Sequence, residues 1–372
     1  MEKATTILNK VLEAAIANKA SDIFIKSDQA PQLKINDELV PVEMDKFSAK
    51  MTEELANEIM PPMQKEMFAV IHEANFTYVL PQARFRTNVF LQRGTHSFVL
   101  RRIEDKIPDF KTLYLPPILE KLSMLERGLI LVTGPTGSGK STTLASMLEY
   151  RNERAANHII TIEDPIEYYY EDKKSLISQR EIGQDTTSFQ KALENAVRQA
   201  PDVLLIGEMR DPESVKAAVF FAETGHFVLS TLHSQNTMQT IERVLNFFPT
   251  AIHEQILKEL ALTLQAIISQ RLIPRKDGNG LMPAIEVLIM NARMKDLMAK
   301  NELSTIKREI DQFLPDGMQS FDYAILELYR QGSITKEDAI RFADNQHDMQ
   351  LKIKLQPTFI TGGQNEEKHS ES

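Results

Sequence analysis

The sequence predicts an α/β chain in which a parallel-sheet domain follows a smaller α+β domain, and three observations point there. Four short apolar runs at 129–133, 158–162, 203–206 and 227–229 are separated by polar or helical segments, the pattern of parallel strands buried on both faces. A glycine-rich loop joins the first run to a helix-compatible segment at 141–149. At 372 residues the chain is long enough for two or three domains of usual size.

Taken in order, 5–19 places Ile7, Leu8, Val11, Leu12, Ala15 and Ile16 on one face of a helix. Strands are expected at 22–26, at 33–35 and 39–42 around the turn-prone Asn36-Asp37, and at 76–80, 84–91 and 97–103. A Met-rich helical stretch covers about 51–70. These elements make up an N-terminal α+β domain, 1–104. The segment 105–117 carries three prolines and little periodicity, and reads as a linker and hinge. The rest of the core is assigned to 118–355. Within it Asp211 caps a helix with Pro212 at its first position, and Gly225 ends that helix. From about 252 the chain reads as mostly helical, and the polar 356–372 reads as a disordered tail.

Composition removes whole classes of function. There is no cysteine, which excludes disulfides, thiol nucleophiles, iron–sulfur clusters and cysteine zinc sites. Lys plus Arg is 43 against 52 for Asp plus Glu, a formal charge of −9, which argues against a nucleic-acid partner. No run approaches the roughly 20 apolar residues of a membrane span. The start lacks the basic-then-apolar layout of a signal peptide. A cytoplasmic location is expected.

Gly134-Pro135-Thr136-Gly137-Ser138-Gly139-Lys140-Ser141, followed by Thr142, fits G-x-x-x-x-G-K-[ST] between a strand and a helix. Glycines let backbone N–H groups turn toward phosphate oxygens, and a helix N-terminus adds partial positive charge. Lys140 can reach the terminal phosphates and Ser141 can ligate Mg²⁺. Kinases, GTPases and ATPases all share such a loop, so other residues must discriminate. Glu163, Asp164 and Glu167 end the second apolar run; they read either as a solvated acidic turn or as groups that orient water or Mg²⁺. Glu208 ends the third run behind Gly207, where a Walker B segment usually has aspartate. His226 and His233 bracket the fourth, and could be structural or could read a phosphate.

Together the Walker A loop, an "Asp box" (161–167), the variant Walker B (202–211) and a "His box" (223–233) resemble the secretion-ATPase superfamily. The lack of a long extra N-terminal domain and of a tetracysteine motif is similar to its PilT/PilU-type type IV pilus retraction branch. Phe24 within Ala20-Ser21-Asp22-Ile23-Phe24-Ile25, Arg198-Gln199-Ala200-Pro201-Asp202, Asn246-Phe247-Phe248-Pro249 and Gly317-Met318-Gln319-Ser320-Phe321-Asp322 look PilU-like. One departure is 291–298, where the Ala-Ile-Arg-Asn-Leu-Ile-Arg element of PilT proteins is largely lost.

The resemblance implies a RecA-like P-loop ATPase core, a PAS-like N-terminal domain and C-terminal helices. It implies ATP and Mg²⁺ as ligands and a homohexameric ring at the inner membrane. A PilT-like sister ATPase and a membrane platform protein would be its partners. It makes Glu163 the water-activating carboxylate, Glu208 and Ser141 the Mg²⁺ holders, and His233 with His226 the readers of the γ-phosphate. Arg84, Arg86 and Arg101, with Arg102, match arginines facing a nucleotide across a domain or subunit boundary; Arg210 and Arg271 are secondary candidates. An adaptor that supports the sister motor without generating force is the alternative.

Overall fold

The computed structural model describes residues 3–35, 38–103 and 106–355. The expected Asn36-Asp37 turn and the tail at 356–372 lie outside the described residues. By their contacts the residues divide into two units interleaved along the chain. One comprises 1–109, 123–129 and 141–231; the other comprises 110–122, 130–140 and 232–372.

Helix α1 (Ala4–Ala17) buries Leu8, Val11, Leu12 and Ala15, the stripe its 3.6-residue period demands. Strands β1 (Asp22–Lys26), β2 (Gln32–Ile35) and β3 (Glu38–Pro41) follow, then helices α2 (Ala49–Ile59) and α3 (Pro62–Ile71). The helical stretch expected over 51–70 is thus two helices. Met60 ends the first in extended conformation, and Pro62 takes the first position of the second, where its missing N–H costs nothing. Strands β4 (Glu73–Leu80), β5 (Ala83–Gln92) and β6 (Thr95–Ile103) complete an antiparallel six-stranded sheet of order β3-β2-β1-β6-β5-β4. Alternation along β5 sends Ala83, Phe85, Thr87 and Val89 inward, into a core shared with α1 and α2. Arg84 and Arg86 are therefore left on the opposite face.

Residues 106–117 contain no helix or strand. Beyond them come α4 (Ile118–Ser123), β7 (Gly128–Thr133), α5 (Lys140–Asn152), β8 (His158–Glu163), β9 (Leu176–Glu181) and α6 (Phe189–Ala196). Next are β10 (Val203–Ile206), α7 (Pro212–Glu223), β11 (Phe227–Leu232), α8 (Thr237–Asn246) and α9 (His253–Thr263). The second sheet has the order β13-β12-β7-β11-β10-β8-β9, and β9, β8, β10 and β11 pair in parallel. Every residue of β7, β10 and β11 is buried, which is why these strands read as unbroken apolar runs.

The expectation of a mostly helical chain after 252 holds over the described residues, but it misses a hairpin, β12 (Leu264–Pro274) with β13 (Leu281–Ile289). Leu264, Ala266, Ile267, Ile268, Ser269 and Gln270 are all buried, so β12 shows no polar–apolar alternation. It also follows α9 directly, and such a run is not told from helix by period alone. The Asp277-Gly278-Asn279-Gly280 stretch between the strands is the signal that reveals it. Helices α10 (Ala292–Ala299), α11 (Leu303–Glu309), α12 (Phe321–Arg330), α13 (Lys336–Phe342) and α14 (Gln346–Leu355) end the described chain.

Candidate functional site

The glycine-rich loop leaves β7 after Thr133, whose hydroxyl is 2.8 Å from that of Ser269 and 3.2 Å from that of Thr240. Gly134 has φ +151°, and a Cβ there would lie 2.5 Å from the carbonyl oxygen of Gln270. A Cβ on Gly139, at φ +85°, would lie 2.7 Å from Nε2 of Gln270. The backbone of β12 and the positive φ therefore call for glycine at 134, and the positive φ alone favours it at 139. Pro135, Thr136 and Gly137 form its exposed crest, and Ser138 is buried. Lys140 opens α5, and its Nζ donates to the carbonyl oxygens of Gly134 and Pro135, each at 3.0 Å. Nδ1 of His233, the residue after β11, lies 3.3 Å from the same ammonium. With Lys140 donating, Nδ1 accepts and the ring proton sits on Nε2. Loop, ammonium, imidazole and Gln270 thus make one cluster in the second unit.

The carboxylates cluster in the first unit. Glu163 ends β8 and accepts a long 3.4 Å contact from Nε2 of Gln179. Burial pushes its carboxyl up to about 7, against hydrogen bonds that favour the charged form; the nearby Glu167 charge adds to the rise. A carboxyl poised there exchanges a proton near neutral pH. Glu208 takes a 2.7 Å bond from Nε of Arg210, whose Nη1 is 3.5 Å from Asp164. Gly207 lies against the Asp-box strand: a Cβ would meet the carbonyl oxygen of Ile162 at 3.2 Å and Cα of Glu163 at 3.3 Å. A side chain at 207 would have to push this strand back by a few tenths of an ångström. Gly207→Asp should lower stability by about 1–3 kcal/mol and slow turnover by displacing Glu163. Thermal denaturation checks the first effect, and an unchanged midpoint would show that the position has room. Thr142 at the start of α5 shares a 2.9 Å hydrogen bond with the Tyr168 hydroxyl, so the first turn of that helix lies beside the segment that follows Glu163.

The arginines separate. The β5–β6 register sets Arg86 opposite Arg101, and Arg102 opposite the core residue Phe85. Arg84, Arg86 and Arg101 therefore share one face, and Arg102 lies on the other. The Arg84 guanidinium stacks 4.2 Å over the ring of Tyr169. The charge of Arg86 bears on buried Glu181, whose carboxyl burial raises. Arg101 pairs with Asp22 at 2.7 Å. Arg84 thus meets the segment behind the Asp box, and Arg86 acts on the end of β9 through its charge.

His226 and Arg271 are placed otherwise than expected. The carbonyl oxygen of His226 accepts from N–H of Gly128, at the start of β7. The loop leaves the other end of that strand, six residues along, or about 20 Å at strand rise. Nδ1 of His226 sits 3.0 Å from both Thr224 Oγ1 and the Phe221 carbonyl, a local structural role. Arg271 pairs with Asp344 at 2.6 Å. Sequence reasoning missed Tyr168, Tyr169, Gln179, Glu181 and Gln270. The Tyr168-Tyr169-Tyr170 run after the acidic segment is a usable signal for the first two. Gln270 was hidden with its hairpin.

Among the described residues no three His, Asp or Glu side chains group as a metal cage. The Ser141 hydroxyl and Glu208 carboxylate are hard oxygen donors, and Mg²⁺ takes one or two such groups beside substrate phosphates. The donor set fits that ion. No described helix is long and apolar enough to cross a membrane.

The Type II/IV secretion system protein family model matches residues 2–301. The chain is 44% identical over 347 residues to the type IV pilus ATPase PilU of Pseudomonas aeruginosa, covering 93% of this chain and 91% of that protein. It is 37% identical over 333 residues to the pilus retraction ATPase PilT of the same organism, covering 89% and 96%. The solved structure of the pilus retraction motor PilT with bound ADP superposes with a TM-score of 0.86 at 39% identity, covering 92% of this chain and 98% of that one. A region matched over most of its length and relatives of this identity leave one assignment: the chain belongs to the Type II/IV secretion system protein family, within its PilT/PilU-type pilus retraction ATPases.

Proposed function

We propose that this chain is an ATP-hydrolysing motor of the type IV pilus retraction machinery, with a PilU-like accessory role. The observation that carries the reading is the Lys140 ammonium, held by the first two carbonyls of a phosphate loop and 3.3 Å from His233. The domain reading is a PAS-like N-terminal domain (1–104), a hinge (105–117), and a RecA-like core with its C-terminal helices (118–355).

In this mechanism the N–H groups of the loop, which Pro135 does not supply, and the ammonium of Lys140 bind the β- and γ-phosphates. Glu163 accepts a proton from the attacking water as its oxygen bonds to the γ-phosphorus, and the β–γ bridging oxygen leaves with the bond's electron pair. Ser141 and Glu208 would hold Mg²⁺, which when bound offsets phosphate charge. His233 reads the γ-phosphate, and Arg84 and Arg86 supply positive charge from the N-terminal sheet, with Arg101 held in reserve by Asp22. An arginine on one body drawn to phosphate held on another closes the pair, and product release opens it. Six copies in a ring at the cytoplasmic face of the inner membrane would turn those motions against a platform protein, beside a PilT-like sister ATPase and with no nucleic-acid partner.

A second reading, an adaptor without force of its own, is favoured by α10. That helix keeps Met294, Leu297 and Met298 fully buried while its sequence departs from the PilT retraction element. Phosphate release by the purified chain, and pilus retraction with and without the sister ATPase, separate the two. Turnover with retraction only beside the sister is the expected result. Absence of turnover under all conditions would leave the adaptor.

A further inference from the structure

Three consecutive residues of β12 reach three parts of the second unit. Ser269 bonds Thr133, the last residue before the phosphate loop, and Gln270 packs on Gly134 and Gly139. Arg271 points its guanidinium at the C-terminal helices. Its Nη1 donates to the carbonyl of Phe342 at 2.9 Å, its Nη2 donates to Asp344 at 2.6 Å, and its plane stacks 3.9 Å over Phe321. The pair is sheltered, with side chains 17% and 18% exposed. The same Nη2 lies 3.4 Å from the carbonyl of Gln235, two residues beyond His233.

The other end of this connection is equally well built. Backbone N–H groups of Asp344 and Asn345, between α13 and α14, both donate to the carboxylate of Asp322 at 2.7 and 3.1 Å. Lys307 on α11 takes the second oxygen of Asp344 at 3.2 Å. Beyond His233, the N–H of Thr237 at the start of α8 donates at 2.7 Å to Glu286, a buried carboxylate on β13. The segment 233–237 therefore runs between two charged anchors, Arg271 and Glu286. The first is held directly by the C-terminal helices through Phe342 and Asp344. An ionic hydrogen bond shielded from water is directional and strong enough to transmit a displacement.

We infer that Arg271 is a positioning residue that couples the α13–α14 junction, through Asp344, to the segment carrying His233. The inference rests on the proposed role of His233 as reader of the γ-phosphate. A shift of the C-terminal helices then changes how well the site tells a triphosphate from a diphosphate. By reciprocity, a bound triphosphate steadies the α13–α14 junction.

The test is calorimetric binding of ADP and of the non-hydrolysable analogue AMP-PNP to the full chain. Asp344→Asn, which keeps shape and removes charge, should weaken AMP-PNP roughly tenfold while ADP affinity holds within about twofold. Asp344→Glu should restore the ratio, and Lys307→Ala, which breaks only the more exposed partner of Asp344, should leave it at the wild-type value. An unchanged ratio in Asp344→Asn overturns the coupling, as does a parallel loss of both affinities with a lowered melting temperature, the mark of a merely structural pair. His233→Ala tests the underlying reading separately. If it keeps the wild-type ratio, the phosphate-reading role falls. If it loses the ratio while Asp344→Asn keeps it, only the coupling falls.

Discussion

Glutamine in place of Glu163 should lower ATP turnover about 10²–10⁴-fold, the range for losing a general base, and leave ATP affinity within about twofold, because the two side chains have the same shape. The amide oxygen can still accept the contact from Gln179; what it cannot do is hold a proton. Burial places the Glu163 carboxyl at about 7 against an ordinary 4.5, so the same substitution has a consequence for stability. Below about pH 4.5 the carboxyl is protonated in folded and unfolded chains alike and costs nothing. Between 4.5 and 7 folding takes up a proton, so stability falls as pH rises through that window. Above it the penalty is complete, at most about 3 kcal/mol. Glu163→Gln has no such penalty. Its melting temperature should match wild type near pH 4 and exceed it by a growing margin up to about pH 7. A margin that shrinks with rising pH would mean that Glu163 is stabilised as a carboxylate, and a variant that turns over ATP normally would remove it from the mechanism.

Lys140→Ala should eliminate turnover and weaken ATP binding together, with losses of at least about 10³-fold in rate. The ammonium is held by carbonyls of its own loop at 3.0 Å and by His233, so it is already positioned where phosphate charge must be met. Alanine leaves those carbonyl oxygens lining the loop with no cation over them, which repels a phosphate. Lys140→Arg should not rescue, because the planar guanidinium does not fit a point-charge site bounded by two carbonyls. Equilibrium ATP binding and phosphate release on the same preparation check both statements. Normal turnover in Lys140→Ala would refute the site.

How far the sequence reveals this site depends on what each segment packs against. Strand β1 falls at 22–26 as expected, because Ile23 and Ile25 alternate with less buried neighbours. Helix α7 is bounded as its signals require: the Asp211 side chain accepts from N–H of Ser214 in a capping box, and the chain turns at Gly225, φ +98°. The loop glycines are legible as a motif, yet part of the reason for Gly134 lies in the Gln270 carbonyl, on a hairpin hidden by burial on both faces. Pairing across strands is invisible along the chain, so Arg102 is grouped with arginines from which the sheet separates it. Arg271 is legible as an arginine with a purpose, but its partner Asp344 lies 73 residues on. His226 follows the same logic. Two histidines that bracket one apolar run look equivalent in sequence, and it is the contact with Lys140 that picks out His233.

The proposed function requires that this chain hydrolyse ATP at the Lys140 loop with Glu163 taking the proton. Phosphate release from ATP by the purified chain across pH 5.5–8.5, with Lys140→Ala as the blank, tests it most directly. The rate should climb with pH and level off, with its midpoint near the value of about 7 that burial gives Glu163. A rate no higher than the blank at every pH, or one that declines as pH passes through 7, would contradict it.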